Sequence, residues 1–267
     1  EKELVDLKDL NKLAFEEGVS FLKLAIKVKK EIVAYKISDD EYNMAVVGKH
    51  LNYQEFNQAI DDGAVIVDMR NFYESEIGKF ENAIIPDVDR SQELLPAVKE
   101  LLADHEDNKV LMYCTGGIRC EKASSYLIHN GFKDVNQLQG GIIKYAHDVN
   151  ENNVESKFLG KNFVFDARMG ERVTNDILSQ CHQCNNSADI HVNCKNQACH
   201  ILFIQCQICY RKYEGCCSVE CKTIYRLPID EQRKLRKKPN LAAPLKQYQQ
   251  SVKPKLKDLI QEKNKFK

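Results

Sequence analysis

Cysteine placement constrains this chain most, because nine of its eleven cysteines fall between Cys181 and Cys221. The N-terminus is charged and resembles no secretory leader, so we expect a cytoplasmic protein without a disulfide framework. Two residues separate Cys181 from Cys184 and Cys206 from Cys209, a spacing that lets both sulfurs of a pair face one tetrahedral metal ion. This region holds few large apolar residues, so it needs a cross-link such as a bound metal ion in order to fold. We therefore predict a small metal-binding module.

Two further pairs complete the set of candidate ligands. Cys194 and Cys199 form one pair, and Cys221 pairs with Cys217 or with Cys216. Three histidines are alternative ligands: His182, His191 and His200. Four pairs make two sites, either cross-braced (first pair with third, second with fourth) or sequential. Because closed all-thiolate sites leave no open position for chemistry, we predict two structural zinc ions. Free or oxidised thiols and an iron–sulfur cluster are the alternatives.

Charge is divided between an acidic body and a basic tail. Residues 222–267 contain 14 lysines and arginines against four acidic residues, although the whole chain has 39 of each sign. A basic tail commonly touches a polyanion, which predicts contact with nucleic acid. The alternative is a solvated tail that only maintains solubility. No apolar run approaches the roughly 20 residues of a membrane helix, so we expect no membrane partner.

Short apolar runs alternate with amphipathic segments between about residues 50 and 148. The runs that predict buried strands are 64–69, 83–85, 110–113 and 135–138. The predicted helices follow Asn52, span 93–103 and span 121–130, and the second has Leu94, Leu95, Val98, Leu101 and Leu102 on its inner face. Such alternation predicts an α/β fold, with a parallel sheet covered by helices on both faces. Outside this block we expect strands at 22–28 and 161–166, and a helix over 231–238 capped by Asp230. Three prolines should divide the tail after that helix: Pro239, Pro244 and Pro254.

The segment from Cys114 to Arg119 is the strongest candidate for an active site. Cys114 ends a predicted strand, and a helix begins soon after Arg119. Gly116 and Gly117 let several N–H groups turn toward one point, and the helix N-terminus adds positive potential. A thiol in this cradle should have a lowered pKa and act as a nucleophile. We expect the Arg119 charge to close the ring of donors.

The residues 114–124, Cys-Thr-Gly-Gly-Ile-Arg-Cys-Glu-Lys-Ala-Ser, resemble the active-site loop of rhodanese domains. Residues 67–74, 78–83 and 139–142 resemble other rhodanese landmarks. Together with the cysteine module, with residues 162–166 and with Leu227-Pro228, they resemble the bacterial tRNA wobble-uridine hydroxylases that contain a rhodanese domain. The similarity extends over about residues 20–230. It implies four parts: a partial ferredoxin-like segment (1–49), a rhodanese domain (50–150), a linker and zinc module (151–226) and the basic tail (227–267).

This resemblance implies a function. It implies oxygen-dependent hydroxylation of the wobble uridine at C5, with Cys114 as the essential thiol, molecular oxygen as co-substrate and the anticodon stem-loop of tRNA as partner. Thr115 and Ile118 complete the active-site loop. Cys120 is either a packed helix residue or a thiol that resolves an oxidised Cys114 through a disulfide. Asp68 and Arg70 form an ion pair that braces the loops, or else bind substrate. Three candidates for stacking an unpaired base, if they are exposed, are Tyr210, Tyr213 and Tyr225, and the alternative for each is packing in the core.

Two other functions use the same residues. A small-molecule sulfurtransferase would carry sulfane sulfur on a Cys114 persulfide, but such substrates need neither a zinc module nor a basic tail. A non-enzymatic adaptor would not need Cys114, both loop glycines and Arg119 together. A cysteine phosphatase is disfavoured because its loop is about one residue longer. We therefore favour the tRNA hydroxylase, and the oligomeric state stays open.

Overall fold

The structure is a computed structural model that describes Val28 and residues 32–88 and 91–237. The chain divides into two compact units, and the division lies between Asn175 and Asp176. Most of the predicted strand at 22–28 and the tail beyond Lys237 lie outside the described residues. Within the predicted ferredoxin-like segment, residues 32–48 are described and contain neither helix nor strand.

A four-stranded parallel sheet forms the centre of the first unit. Its strands are β1 (Lys49–Leu51), β2 (Val65–Asp68), β4 (Lys109–Tyr113) and β5 (Asp134–Leu138), in the order β1-β5-β4-β2. The run at 83–85, predicted as a strand, contributes one parallel bridge between Ile84 and Val67. Side chains along β4 alternate between the two faces, as a strand buried on both sides requires.

Helices cover both faces of this sheet, as predicted. The helices are α1 (Tyr53–Asp61), α2 (Phe72–Ser75), α3 (Ser91–Leu101), α4 (Ile118–His129) and α5 (Gly141–Glu151). One core cluster joins residues of α3 and α4 to Val110, Met112 and Cys114, and the other joins α1 and α5 to Leu111 and Tyr113. Asn52 caps α1 with a full capping box.

Leu101 differs from its predicted position on the inner face of α3. It is 47% exposed, whereas Leu102, immediately after the last helical residue, is fully buried. The chain leaves the α-helix at this point and continues as a short 3₁₀ turn over Ala103–His105. The Leu102 N–H still donates to the Val98 carbonyl, so Leu102, four residues after Val98, lies on the inner face in place of Leu101.

A small antiparallel sheet joins β3 (Gly78–Phe80), β6 (Phe158–Asn162) and β7 (Glu171–Arg172). The strand predicted at 161–166 was therefore placed too late in the chain, and β3 was missed. Gly78 and Gly160 explain the difference: they pair with each other, and a Cβ on Gly78 would lie 2.1 Å from the Lys161 oxygen. Such close backbone approach needs glycine, which weakens the alternation that marks a strand.

The second unit contains the cysteine-rich segment. An antiparallel hairpin of β8 (His191–Asn193) and β9 (Leu202–Ile204) precedes helices α6 (Gln207–Tyr213), α7 (Val219–Tyr225) and α8 (Ile229–Lys237). Asp230 is not the cap of α8 but part of its first turn, and the N–H of Glu231 donates to the Pro228 carbonyl. Proline cannot donate a backbone hydrogen bond but suits a helix start.

Candidate active site and cysteine groups

Cys114 lies at the carboxyl end of β4, where the loop to α4 begins. Gly117 precedes α4 with φ of 89°, a left-handed conformation that favours glycine. Its N–H donates to the Cys114 sulfur at 3.1 Å. Thr115, Gly116 and Gly117 are partly exposed and Ile118 is 52% exposed, whereas Cys114 is nearly fully buried. The sulfur therefore sits beneath an accessible loop.

The environment of the Cys114 sulfur favours the thiolate. A hydrogen bond from the Cys120 thiol, the Arg119 charge and the N–H groups of Arg119 and Gly116 lower the pKa of Cys114 to about 5, against the opposing effect of burial. Cys114 is therefore ionised at neutral pH, as the sequence predicted. Burial raises the pKa of Cys120 well above its usual value, so Cys120 remains a neutral donor.

The Arg119 guanidinium binds a buried carboxylate rather than the sulfur. Its two terminal nitrogens donate to the two oxygens of Glu74 at 2.7 and 2.9 Å. Thr115 joins this pair, accepting from Arg119 at 3.0 Å and donating to Glu74 at 3.1 Å. Glu74 is fully buried and needs such a partner. The predicted ring of donors is thus made of backbone N–H groups and one thiol, while the Arg119 charge acts from its ion pair.

Glu74 is a site residue to which sequence analysis assigned no role. It lies in α2, where the side chains and backbones of Asn71 and Glu74 form a capping box. The Asn71 N–H and side-chain amide both donate to the Glu74 carboxylate at 3.1 Å. The spacing Asn71-x-x-Glu74 was the available signal, since it is typical of a helix start. Nothing in that spacing reveals the second partner, Arg119.

Asp68 and Arg70 form the ion pair predicted between them. The guanidinium donates to both Asp68 oxygens, and Ser75 and Tyr113 hydroxyls donate to the same carboxylate at 2.8 and 2.7 Å. Arg70 also donates to the Gly78 carbonyl at 2.6 Å. Both side chains are completely buried. They brace the ends of β2 and β3 and have no surface through which to bind substrate.

A pair of glycines at the start of α5 packs closely against the backbone of the Cys114 loop. Gly140 and Gly141 have φ of 70° and 67°, and the next two N–H groups, of Ile142 and Ile143, donate to the carbonyls of Cys114 and Thr115. A Cβ on Gly141 would lie 2.5 Å from the Cys114 oxygen. The close approach requires glycine, because any side chain would push the loop away.

Eight cysteines of the second unit form two groups that could hold metal ions. Cys181, Cys184, Cys206 and Cys209 make the first group, and Cys194, Cys199, Cys217 and Cys221 make the second. Within each group the sulfurs lie within 4.8 Å of one another. The first pair in the chain thus joins the third, and the second joins the fourth. This is the cross-braced arrangement, which spacing alone left open.

Cys216 belongs to neither group, so its prediction as a possible ligand was wrong. Its side chain is fully buried and packs against Ile201 and Phe203. Its carbonyl accepts hydrogen bonds from Gln183 and Gln205 at 3.1 and 3.2 Å. Adjacent cysteines point in different directions, which is why only Cys217 faces the second group. The candidate histidines also lie outside both groups.

Lysines cover the three tyrosines considered for base stacking. The Lys195 ammonium lies 5.1 Å from the ring centroid of Tyr210 and 5.6 Å from that of Tyr225. Lys212 lies 5.3 Å from the ring of Tyr213. All three rings are partly buried. Each therefore already has a cation–π partner within the module.

The parallel sheet, the loop after β4 and the glycine pair define a rhodanese-like domain. The family model for the rhodanese-like domain matches residues 52–148. A second model, described as rhodanase C-terminal, matches residues 159–222 and thus includes the cysteine groups. In the described part of the chain, no helix has the length and apolar character needed to cross a membrane.

Curated relatives extend the similarity to both regions. A protein of Leptospira interrogans serogroup Icterohaemorrhagiae serovar Lai (strain 56601) is 54% identical over 233 residues, which are 86% of this chain and 64% of that protein. A protein of Yersinia pestis (strain Pestoides F) is 49% identical over 233 residues, which are 87% of this chain and 66% of that protein. Both are named tRNA uridine(34) hydroxylase. The chain is similar to these rhodanese-domain proteins over most of its length, which confirms the resemblance, and it spans 64–66% of the length of these relatives.

Proposed function

We propose that this chain hydroxylates the wobble uridine of tRNA at C5, with Cys114 as the reactive thiol. The observation that carries the proposal is a cysteine whose sulfur accepts the Gly117 N–H in an intact rhodanese loop, within a chain about half identical to proteins named for this reaction. The substrate is the anticodon stem-loop, and a reaction on tRNA places the protein in the cytoplasm. Molecular oxygen is the co-substrate.

The stoichiometry of the hydroxylation shows that it also requires electrons and protons. One oxygen atom of O₂ replaces the C5 hydrogen as a hydroxyl group, and the other leaves as water after taking up two electrons and two protons from an external donor. The uridine must leave the anticodon stack to reach a loop cysteine. The loop residues Thr115, Gly116, Gly117, Ile118 and Arg119 then hold Cys114 in position, and Cys120 donates to its sulfur. Asp68 and Arg70 support the loop from within the core.

Replacing Cys114 by alanine is expected to abolish the modification. We would express the wild type, Cys114→Ala and Cys216→Ala in cells that lack the endogenous enzyme, and measure 5-hydroxyuridine-derived nucleosides in digested tRNA by mass spectrometry. Wild type and Cys216→Ala should restore these nucleosides, because Cys216 is a buried cysteine outside both metal groups. Restoration by Cys114→Ala would show that the thiol is not the catalyst, and no restoration by the wild type would reject the hydroxylase.

A sulfurtransferase is the second candidate, because the same ionised thiol favours it. The Cys114 thiolate would take the outer sulfur of thiosulfate, release sulfite and pass the sulfur to an acceptor thiol. Turnover of thiosulfate by the purified wild type without RNA, together with no tRNA product in cells, would favour this candidate. Formation of the tRNA product with slow thiosulfate turnover would favour the hydroxylase.

We also propose that each four-cysteine group binds one zinc ion. A Zn–S bond of about 2.3 Å in a tetrahedral site places sulfurs about 3.8 Å apart. Three sulfur pairs match this spacing: Cys184–Cys206 at 3.6 Å, Cys199–Cys217 at 3.7 Å and Cys217–Cys221 at 3.6 Å. Four thiolates fill the coordination of zinc, so both ions are structural. The Asn196 side-chain amide donates to the Cys221 sulfur at 3.3 Å and would orient that ligand.

The purified chain is expected to contain about two zinc ions, set by the two groups of four thiolates. Cys181→Ser should lower the content to about one ion, measured by inductively coupled plasma mass spectrometry. The matched variant Cys216→Ala should retain both. Equal zinc loss in the two variants would contradict the assignment of ligands, since only Cys181 belongs to a group.

A further inference from the structure

Tyr35 lies outside the matched rhodanese domain but inside its core. The domain model begins at residue 52, whereas Tyr35 belongs to the segment 32–48 that precedes β1. The Tyr35 side chain is 1% exposed and packs in the same cluster as Cys114 and Cys120. A buried tyrosine needs a partner for its hydroxyl group. The partner of the Tyr35 hydroxyl lies in α4, next to the Cys114 loop.

The Tyr35 hydroxyl donates to the carbonyl of Arg119 at 3.1 Å. Arg119 lies in the first turn of α4, directly before Cys120. Two more residues of the same segment form hydrogen bonds with α4, and the Lys122 ammonium of α4 lies 4.3 Å from the ring centroid of Tyr42. Asn43 exchanges hydrogen bonds with the Ser125 hydroxyl at 2.9 and 2.7 Å, and the Gly48 N–H donates to the Ser124 hydroxyl at 2.9 Å. The segment 32–48 is therefore hydrogen-bonded to α4 at several points. Tyr35 makes the contact at the start of α4, which is nearest to the Cys114 loop.

The first turn of α4 carries two of the donors that reach the Cys114 sulfur. They are the Arg119 N–H and the Cys120 thiol. The peptide group that joins Arg119 to Cys120 contains the carbonyl that Tyr35 binds. Fixing this peptide fixes the orientation of the residues on either side, and hydrogen bonds weaken steeply when their geometry is lost. A hydroxyl at this point can therefore control both donors at once.

We propose that Tyr35 is a positioning residue for Cys114, which holds the start of α4 so that its donors point at the sulfur. The inference rests on the proposed role of Cys114 as the reactive thiol. The segment before the rhodanese domain then contributes to the active site through its hydrogen bond with Arg119.

In the described part of the chain, four titratable or charged groups act on Cys114 directly or through Arg119. Tyr35 approaches from the preceding segment, Glu74 from α2, and Arg119 and Cys120 from α4. Arg119 and Glu74 form an ion pair, from which the Arg119 charge still stabilises the Cys114 thiolate. Burial raises the pKa of Tyr35 well above its usual value, so Tyr35 stays neutral and keeps its proton when Cys114 ionises. Removal of its hydroxyl changes the donor geometry without changing any charge.

The test compares Tyr35→Phe with Tyr42→Phe. Tyr42 belongs to the same segment, but its hydroxyl donates to Asp39 at 2.9 Å rather than to α4. For each protein we would alkylate with iodoacetamide from pH 4 to 9 and quantify the Cys114 peptide by mass spectrometry. The wild-type midpoint is expected near the pKa of about 5. Tyr35→Phe should raise it by about 0.5 to 1 unit, the value of one hydrogen bond, and Tyr42→Phe should not move it.

Ser125→Ala tests whether any contact of the segment has the same effect. It removes the contact with Asn43 but leaves the Tyr35 hydroxyl in place, so its midpoint should stay at the wild-type value. An unmoved midpoint in Tyr35→Phe, an equal rise in Ser125→Ala, or failure of Tyr35→Phe to fold would overturn the inference. A wild-type midpoint near 8.5 would instead reject the ionised thiol on which the proposed function depends.

Discussion

Replacing Asp68 by alanine is expected to lower the free energy of unfolding by about 3–5 kcal/mol, because it leaves the buried Arg70 charge without a counterion. The loss also removes the acceptor of the Ser75 and Tyr113 hydroxyls, both of which lie in the core. Urea denaturation at constant zinc, followed by circular dichroism, measures the change. Asp107→Ala is the matched control, since Asp107 pairs with Lys133 where both side chains are mostly exposed, and it should cost less than about 1 kcal/mol.

The difference between wild type and Asp68→Ala should depend on pH. Although burial opposes ionisation, the charge and hydrogen bonds of Arg70, with those of Tyr113 and Ser75, hold the pKa of Asp68 below its usual value. Such a carboxyl contributes its full stability above its unfolded pKa of about 3.9, and the contribution is lost as pH falls through the folded pKa. The difference should therefore be constant near neutrality and shrink in acid. A difference that grows in acid would contradict this account.

Replacing Gly141 by alanine is expected to lower the free energy of unfolding by about 2–4 kcal/mol and to raise the pKa of Cys114. The new methyl group would lie 2.5 Å from the Cys114 oxygen and 2.7 Å from the nitrogens of Gly116 and Gly117. The loop must move, and its donors then leave the sulfur. Urea denaturation gives the stability, and the pH profile of Cys114 alkylation gives the pKa.

Gly131→Ala separates backbone strain from the displacement of the loop. Gly131 has φ of 97°, but a Cβ there would have no atom within 4 Å. This variant should cost about 1 kcal/mol and leave the alkylation profile of Cys114 unchanged. If the two glycine variants gave the same profile, contact with the loop would not be the function of Gly141.

The central fold was predictable because strand and helix alternate with clear periods. Side chains of the run at 110–113 alternate between two core clusters. Asn52 caps α1, the helix that the sequence predicts directly after it. The smaller antiparallel sheet was not predictable in the same way. Gly78 and Gly160 permit its close pairing but carry no side chain that signals a strand. Only the three-dimensional approach of two distant segments shows their role.

The reactive loop was predictable because its chemistry lies in consecutive residues. Cys114, two glycines and a helix start are adjacent in sequence, and they imply a lowered thiol pKa. Glu74 and Tyr35 were not assigned roles, because each acts on Arg119 from a distant part of the chain. Spacing likewise identified the cysteine pairs but not their partners, since either arrangement satisfies the same local geometry.

The interleaving of the two cysteine groups has a consequence for synthesis of the chain on the ribosome. The first group is complete only when Cys209 has emerged, and by then Cys194 and Cys199 of the second group are already exposed within it. Cys217 and Cys221 must follow before the second group can close. The first group can therefore close before the second, and between these two moments the nascent chain presents two thiols, of Cys194 and Cys199, that a wrong metal or an oxidant can capture. Rapid translation from Cys194 to Cys221 would shorten this vulnerable interval.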